Sequence, residues 1–290
     1  MSDGKPVSTF PDIAPHCEQL VRAADKDRYL ATLFAPADKR GPLYALYAFN
    51  AEIAGVRDRV REPMAGEIRL QWWRDVFNGE RSGEAAANPV AAALLDTITR
   101  FDLPRAPLLD LIEAHSFDLY DDPMPTLAAL EAYGRKTSSA VFAQAALICS
   151  ANAGEAAGHA GLAWRIAELL RAFARHASRR QLFVPEEILG RHSARAGDVF
   201  AGRSTPELQQ ALAELRREAR RHTALFEAQL PQLPASAIPA FLPVALVPGY
   251  LAAMEKADYD PFKAVVDVPQ WRRQWVLWRA ARRYSRLMRG

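Results

Sequence analysis

Apolar residues recur along most of this chain at spacings of three and four, the period that gathers them on one face of an α-helix. Alternating runs of the half-buried strand type are scarcely present, so the chain reads as all-α. Pro and Gly clusters interrupt the periodic stretches. They divide the sequence into helices expected over Cys17–Ala24, Asp27–Leu33, Lys39–Arg61, Gly66–Phe77, Pro89–Phe101, Arg105–Tyr120, Thr126–Ser150, Leu162–Arg175, Pro206–Gln229, Ala240–Ala257 and Pro269–Arg289. Pro63 is expected to stop the third of these, and Asn78–Asn88 and Asn152–Gly161 read as loops. With no internal repeat of fixed period, the simplest organisation is a flexible tail over residues 1–15 and one helical domain over 16–290.

Composition narrows the class. Half of the 290 residues are hydrophobic and 24% are charged, as in a globular domain with a sizeable core. A net charge of +3 is too small a field to argue for nucleic acid, and none is expected as a partner. The basic character is concentrated instead: Trp271 to Gly290 holds seven arginines and no acid. Cys17 and Cys149 offer neither a disulfide framework nor metal-ligand spacing. The chain begins without an apolar leader-like stretch, and no membrane span is expected. A cytoplasmic protein, at most peripheral on the inner face of the cytoplasmic membrane, is the resulting expectation.

Four segments carry more specific information. They are Leu43-Tyr44-Ala45-Leu46-Tyr47-Ala48-Phe49, Arg69-Leu70-Gln71-Trp72-Trp73-Arg74, Asp118-Leu119 followed by Thr126 to Tyr133 and Arg135, and Leu182-Phe183-Val184-Pro185-Glu186-Glu187. In this order and spacing they resemble the squalene/phytoene synthase family over nearly the whole chain. The resemblance implies a single isoprenoid-synthase-type helical bundle around a largely apolar central cavity. It also implies a chemistry in which carboxylates on two facing helices hold magnesium and the leaving diphosphate of a prenyl substrate. Magnesium needs several oxygen ligands in near-octahedral array, which an Asp-Asp-x-x-Asp helix face supplies. Laid on the first such motif, this chain has Ala54-Gly55-Val56-Arg57-Asp58, leaving Asp58 alone. At the second, Ala172 and His176 stand where acids are expected, and no carboxylate occurs from Arg171 through Val184.

The altered motifs are similar to one branch of that family, the squalene/phytoene-synthase-like assembly factor of mitochondrial respiratory complex I. Phe49-Asn50-x-Glu52-x-Ala54-x-Val56-Arg57-Asp58, Ile68 to Trp73, and Ser178-Arg179-Arg180-x-x-Phe183-x-Pro185 carry this likeness. Leu119 to Asp122, Thr137 to Ser139, and Ala257 to Phe262 add to it. The branch implies a non-catalytic protein, here of bacterial type, that acts in assembling a membrane respiratory complex or binds an isoprenoid-like ligand. The alternative is an active head-to-head prenyl transferase. No cofactor is expected, with magnesium reserved for that alternative.

Remnant pocket candidates are Tyr44, Asn50, Glu52, Asp58, Arg69, Gln71, Asp118, Arg135, Lys136, Ser138, Arg179 and Arg180. Asn50, Glu52 and Asp58 are expected on one wall and Arg179-Arg180 opposite. The two arginines suit metal-free anion binding, an internal ion pair with Asp58 or Glu52, or plain surface solvation. Trp72 and Trp73 read as packing residues, Asp121 and Asp122 as a turn, and His176 as a pocket-rim residue, so no metal ligand is assigned. In the last helix Trp271, Trp275 and Trp278 share a stripe bordered by arginines, among them Arg279, Arg282 and Arg283. Such a helix either docks its stripe on the body or lies on an anionic membrane or a partner.

Overall fold

The computed structural model describes residues 10–288, and every regular element among them is a helix. α1 (Phe10–Ala24) begins well before the expected Cys17. Of the expected tail, residues 1–9 lie outside the described residues, and Phe10 to Pro15 already belong to α1. α2 (Lys26–Thr32) follows at once, because the Asp25 carboxylate caps it by accepting from the Arg28 backbone N–H at 2.9 Å. α3 (Ala37–Ala54) buries every residue from Pro42 to Asn50, the signature of a helix enclosed on all sides. The helix expected to reach Arg61 is divided at Gly55, a weak helix former, and resumes as the single turn α4 (Val56–Arg59).

Pro63 opens the next helix, α5 (Pro63–Asn78), at the first turn, where its missing N–H costs nothing. Gly79 closes it at φ 83°, a left-handed C-cap that favours glycine. The expected loop behind it contains a short helix, α6 (Ser82–Ala87). α7 (Pro89–Phe101) has the expected bounds because Asn88 caps it and Pro89 starts it. α8 (Ala106–Ala114) tightens into a 3-10 turn over His115–Leu119. α9 (Leu127–Gly134) and α10 (Ala140–Ile148) were expected as one helix, but a π turn at Arg135–Ser139 separates them.

The largest departure is α11 (Gly154–Arg171), which runs through most of the glycines expected to form a loop. Here glycine serves contact between helices. A Cβ on Gly161 would stand 2.3 Å from the Cα and N of Ser139, so the helix crosses the π turn backbone to backbone. Short helices α12 (Phe173–Ser178), α13 (Glu186–Arg191) and α14 (Ala196–Phe200) lead to α15 (Pro206–Gln229), capped by Thr205. Ala235–Ala253 corrects another expectation, being long and apolar enough to cross a membrane, with mean hydropathy 1.6. Yet 61% of it is buried in the bundle, and prolines break it into turns, α16 (Ile238–Phe241) and α17 (Val247–Ala253). α18 (Gln270–Leu287) closes the fold.

α11 lies at the centre, against α15, α10 and the π turn, while α1 packs on α3 and α7. The core between them is aromatic: Phe142 stacks on Phe241 at 5.9 Å, and Phe226 meets Phe241 at 5.2 Å and Tyr284 at 6.1 Å.

Candidate functional site

The two motif segments face each other. Asp58, on the single turn α4, forms an ion pair with Arg179 and a second, at 3.8 Å, with Arg175 of α12. Its neighbour Arg57 reaches Asp121 at 3.9 Å. Arg179 thus makes the internal pair with Asp58 that was one of its expected roles. Ala172 is the joint between α11 and α12, and His176 turns its ring onto Phe183 at 4.8 Å. Burial, helped by Arg175, pushes the His176 imidazole down to about 4, so it is neutral at pH 7. His176 borders a cavity of about 10 Å³ between Leu130, Ile166, Phe173 and Phe183, room for about one water. Magnesium would need several free hard oxygens here. The motif segments offer one carboxylate, already shared by two guanidinium groups, and do not fit the ion.

Deeper inside, several buried charges find their partners within the chain. The Arg28 guanidinium, 3% exposed, lies in a box of Tyr47, Phe142 and Trp164 at 5.4, 5.8 and 5.3 Å from their ring centres. Its outer edge meets Asp25 at 3.2 Å. The immediate neighbour of Arg28 in sequence, Asp27, accepts from the Tyr250 hydroxyl at 2.6 Å and pairs with Arg273 at 2.5 Å and Arg171 at 3.5 Å. This knot ties α2 to α11, α17 and α18. It also removes Arg273 from the basic surface on which it was counted. The open cleft beside it, about 490 Å³, carries Lys26, Arg171 and Arg175 against Asp25, Glu168 and Asp267. Asp118 anchors a third network, accepting from the Tyr133 hydroxyl at 2.9 Å and lying 2.6 Å from His115 Nδ1. Its backbone carbonyl accepts from Gln181 at 2.7 Å. Arg28, Asp27 and Tyr250 were missed in the sequence because Asp25-Lys26-Asp27-Arg28 has the composition of a solvated turn.

The remaining candidates divide. Tyr44 stacks on Tyr29 at 5.8 Å, and its hydroxyl, the Asn50 amide oxygen and the Ser138 hydroxyl are buried without a partner among the described residues. Burial raises the Glu52 carboxyl above its ordinary range, with Arg59 and Arg69 pulling the other way. Arg69 itself is exposed, as are Arg135 and Lys136, and Arg135 pairs with Glu131 at 3.1 Å. Gln71 is held on the surface of α5, donating to Asp75 at 2.6 Å and accepting from Arg74 at 3.0 Å. Arg180 corrects its expected place. The left-handed backbone at φ 59° turns its side chain away from Arg179 and over the Phe200 ring at 4.9 Å. Trp73 packs edge-on against Phe49 at 4.9 Å, as a core residue does, while Trp72 donates to Glu84 at 2.9 Å.

α18 presents a second candidate surface. It docks through Arg273, Leu277, Ala280 and Tyr284, the spacing of one helix face. The tryptophan stripe lies opposite, with Trp271 70%, Trp275 50% and Trp278 39% exposed. Trp275 stacks on Trp278 at 5.1 Å, and Arg282 covers Trp278 at 3.8 Å. Arg279 and Arg282 have no acidic partner among the described residues, whereas Arg283 pairs with Glu227 at 2.8 Å. Beside the stripe runs an open groove of about 690 Å³, lined by Phe34, Ile238, Trp278, Arg282 and Arg286.

An all-helical bundle with two facing motif segments defines the isoprenoid-synthase class of fold. The chain belongs to the squalene/phytoene synthase family, whose pattern it matches over residues 21–279. It is similar to the rat "NADH dehydrogenase (ubiquinone) complex I, assembly factor 6", 30% identical over 87% of this chain and 77% of that protein. It is also similar to the 15-cis-phytoene synthase of Synechococcus elongatus, at 24% over 92% of each chain. Among solved structures, a dehydrosqualene synthase in complex with ligand superposes with a TM-score of 0.83 at 19% identity, covering 96% of this chain and 98% of that one.

Proposed function

We propose that this chain is a family member without prenyl-transfer activity that acts in assembling a membrane-bound respiratory complex, working at the anionic face of that membrane. The observation that carries the reading is the pairing of Asp58 with Arg175 and Arg179. It takes the last motif carboxylate out of service as a metal ligand and puts positive charge where a metal-diphosphate cluster would need acids. The likeness to the complex I assembly factor, extending over 87% of the chain, supports the assembly role. The exposed tryptophan and arginine stripe supports attachment to a lipid surface, since aromatic rings settle in the headgroup layer and arginines are drawn to anionic lipid. The competing reading, head-to-head prenyl transfer with magnesium, has the family membership and the phytoene synthase likeness behind it but lacks a fitting donor set.

Removal of the chain from its host tests the assembly role. Assembled NADH dehydrogenase in the membrane fraction should fall, and both the wild-type chain and Asp58→Ala should restore it. Normal assembly without the chain would overturn the reading.

A further inference from the structure

Away from the motif segments, three helices bring four metal-ligating side chains together. Glu131 lies on α9, His159 on α11, and Glu218 and His222 one turn apart on the same face of α15. Ligand atoms of Glu131, Glu218 and His222 all lie within 4.8 Å of one another. His222 is 1% exposed. Its Nδ1 is 3.0 Å from His159 Nδ1, and its Nε2 is 3.2 Å from Glu131 Oε1. One proton serves the two Nδ1 atoms; when His222 carries it, Nε2 presents a lone pair towards the Glu131 oxygen. Two acceptors so placed call for a cation between them. The structure supplies one, because the Arg221 guanidinium stands 3.0 Å from Glu131 and 3.1 Å from His222 Nε2, and its Nε meets Glu218 at 2.6 Å. Yet the Arg221 side chain is 48% exposed and free to swing into water, while the three acceptors are held by packed helices.

We propose that Glu131, Glu218 and His222 form a binding site for a divalent first-row transition ion of the zinc type, with Arg221 as the displaceable cation that occupies it otherwise. Two carboxylates and one imidazole suit zinc, which accepts three protein ligands and leaves a fourth position to solvent. Magnesium and calcium take oxygen and do not favour an imidazole ligand. With the shared proton on His222 Nδ1, His159 does what an outer partner does in such sites: it accepts from the far ring nitrogen and fixes the ligating one. Ligands about 2.1 Å from one ion stand about 3.4 Å apart, so closure from the present spread needs only side-chain rotation. His159 precedes Ala172 by about 20 Å along α11, so this site is separate from the aspartate-motif segments.

The test uses the full chain stripped with a chelator, titrated with Zn2+ against a competing indicator and separately with Co2+, whose visible absorption reports tetrahedral nitrogen and oxygen ligation. One ion per chain is expected, with a rise in Tm on Zn2+ addition. His222→Gln and Glu218→Gln should each weaken binding at least tenfold; the latter side chain is partly exposed, so its variant is expected to fold. Arg221→Ala should tighten binding severalfold by removing the competitor. Absence of stoichiometric binding, unchanged binding in both ligand variants, or weaker binding in Arg221→Ala would each overturn the proposal.

Discussion

The region around α2, α4 and α12 and the outer face of α18 are both rich in arginine and aromatic rings, and the chain treats them in opposite ways. On the first, charges are paired within the chain: at its partly exposed rim Asp58 has Arg175 and Arg179, and deeper in Asp27 has Arg273 and Tyr250 and Arg28 has Asp25 and three rings. Outside, Trp271, Trp275 and Trp278 stand exposed beside Arg279 and Arg282, which have no acidic partner among the described residues. The charged side chains named on the first region are taken up by one another. An outer face left unsatisfied is where binding is to be sought.

The sharpest way to break the interior half of this comparison is Arg28→Ala. It empties the aromatic box and leaves Asp25 without its ion-pair partner, and removing one partner from a buried pair costs about 3–5 kcal/mol. Thermal or urea unfolding should show a loss of this size, and Arg28→Met, which refills the box, should recover part of it. The outer half is tested by replacing Trp275, Trp278, Arg279, Arg282 and Arg283 together. With about 1 kcal/mol per arginine near an anionic leaflet, cosedimentation with anionic liposomes should weaken by about a hundredfold or more. Binding by the wild type should also fall as salt rises, through screening. Equal binding by that variant would make α18 a structural cap.

A smaller effect comes from His176. Its folded value of about 4 lies below its ordinary 6.5, so between these values the unfolded chain binds more protons than the folded one. Its contribution is therefore intact above about pH 6.5 and is lost as pH falls towards 4, by at most about 3 kcal/mol and less for a partly exposed ring. His176→Gln should flatten that slope in a pH series of unfolding curves. The smallest change is expected from Asp58→Asn, because the pair it breaks is partly exposed and such pairs contribute about 1 kcal/mol or less. A drop several times larger would mean that the pair clamps α4 to α12.

Much of this comparison was legible before any coordinates. Asn88-Pro89 and Thr205-Pro206 set two helix starts because a capping side chain and a fixed φ act locally. Ala54, Gly55, Ala172 and His176, where the family resemblance implies acids, and the tryptophan stripe of α18 were also visible in the sequence. Other features depend on distant partners. Gly161 resembles a loop residue until Ser139 is placed against it, and the Ala235–Ala253 stretch, expected in part as one helix over Ala240–Ala257, is broken into short turns by its prolines. Glu218 and His222 have helical ligand spacing, but nothing local announces Glu131 or His159. Asp25 to Arg28 gives no local sign that Arg28 and Asp27 turn inwards.

The central claim is that the motif segments have exchanged metal binding for self-pairing, and turnover measures it most directly. Incubated with farnesyl diphosphate and Mg2+, the purified chain should release no pyrophosphate above background, and Asp58→Ala should be indistinguishable from it. Robust protein-dependent release that disappears in Asp58→Ala would contradict the account and make this chain a prenyl transferase.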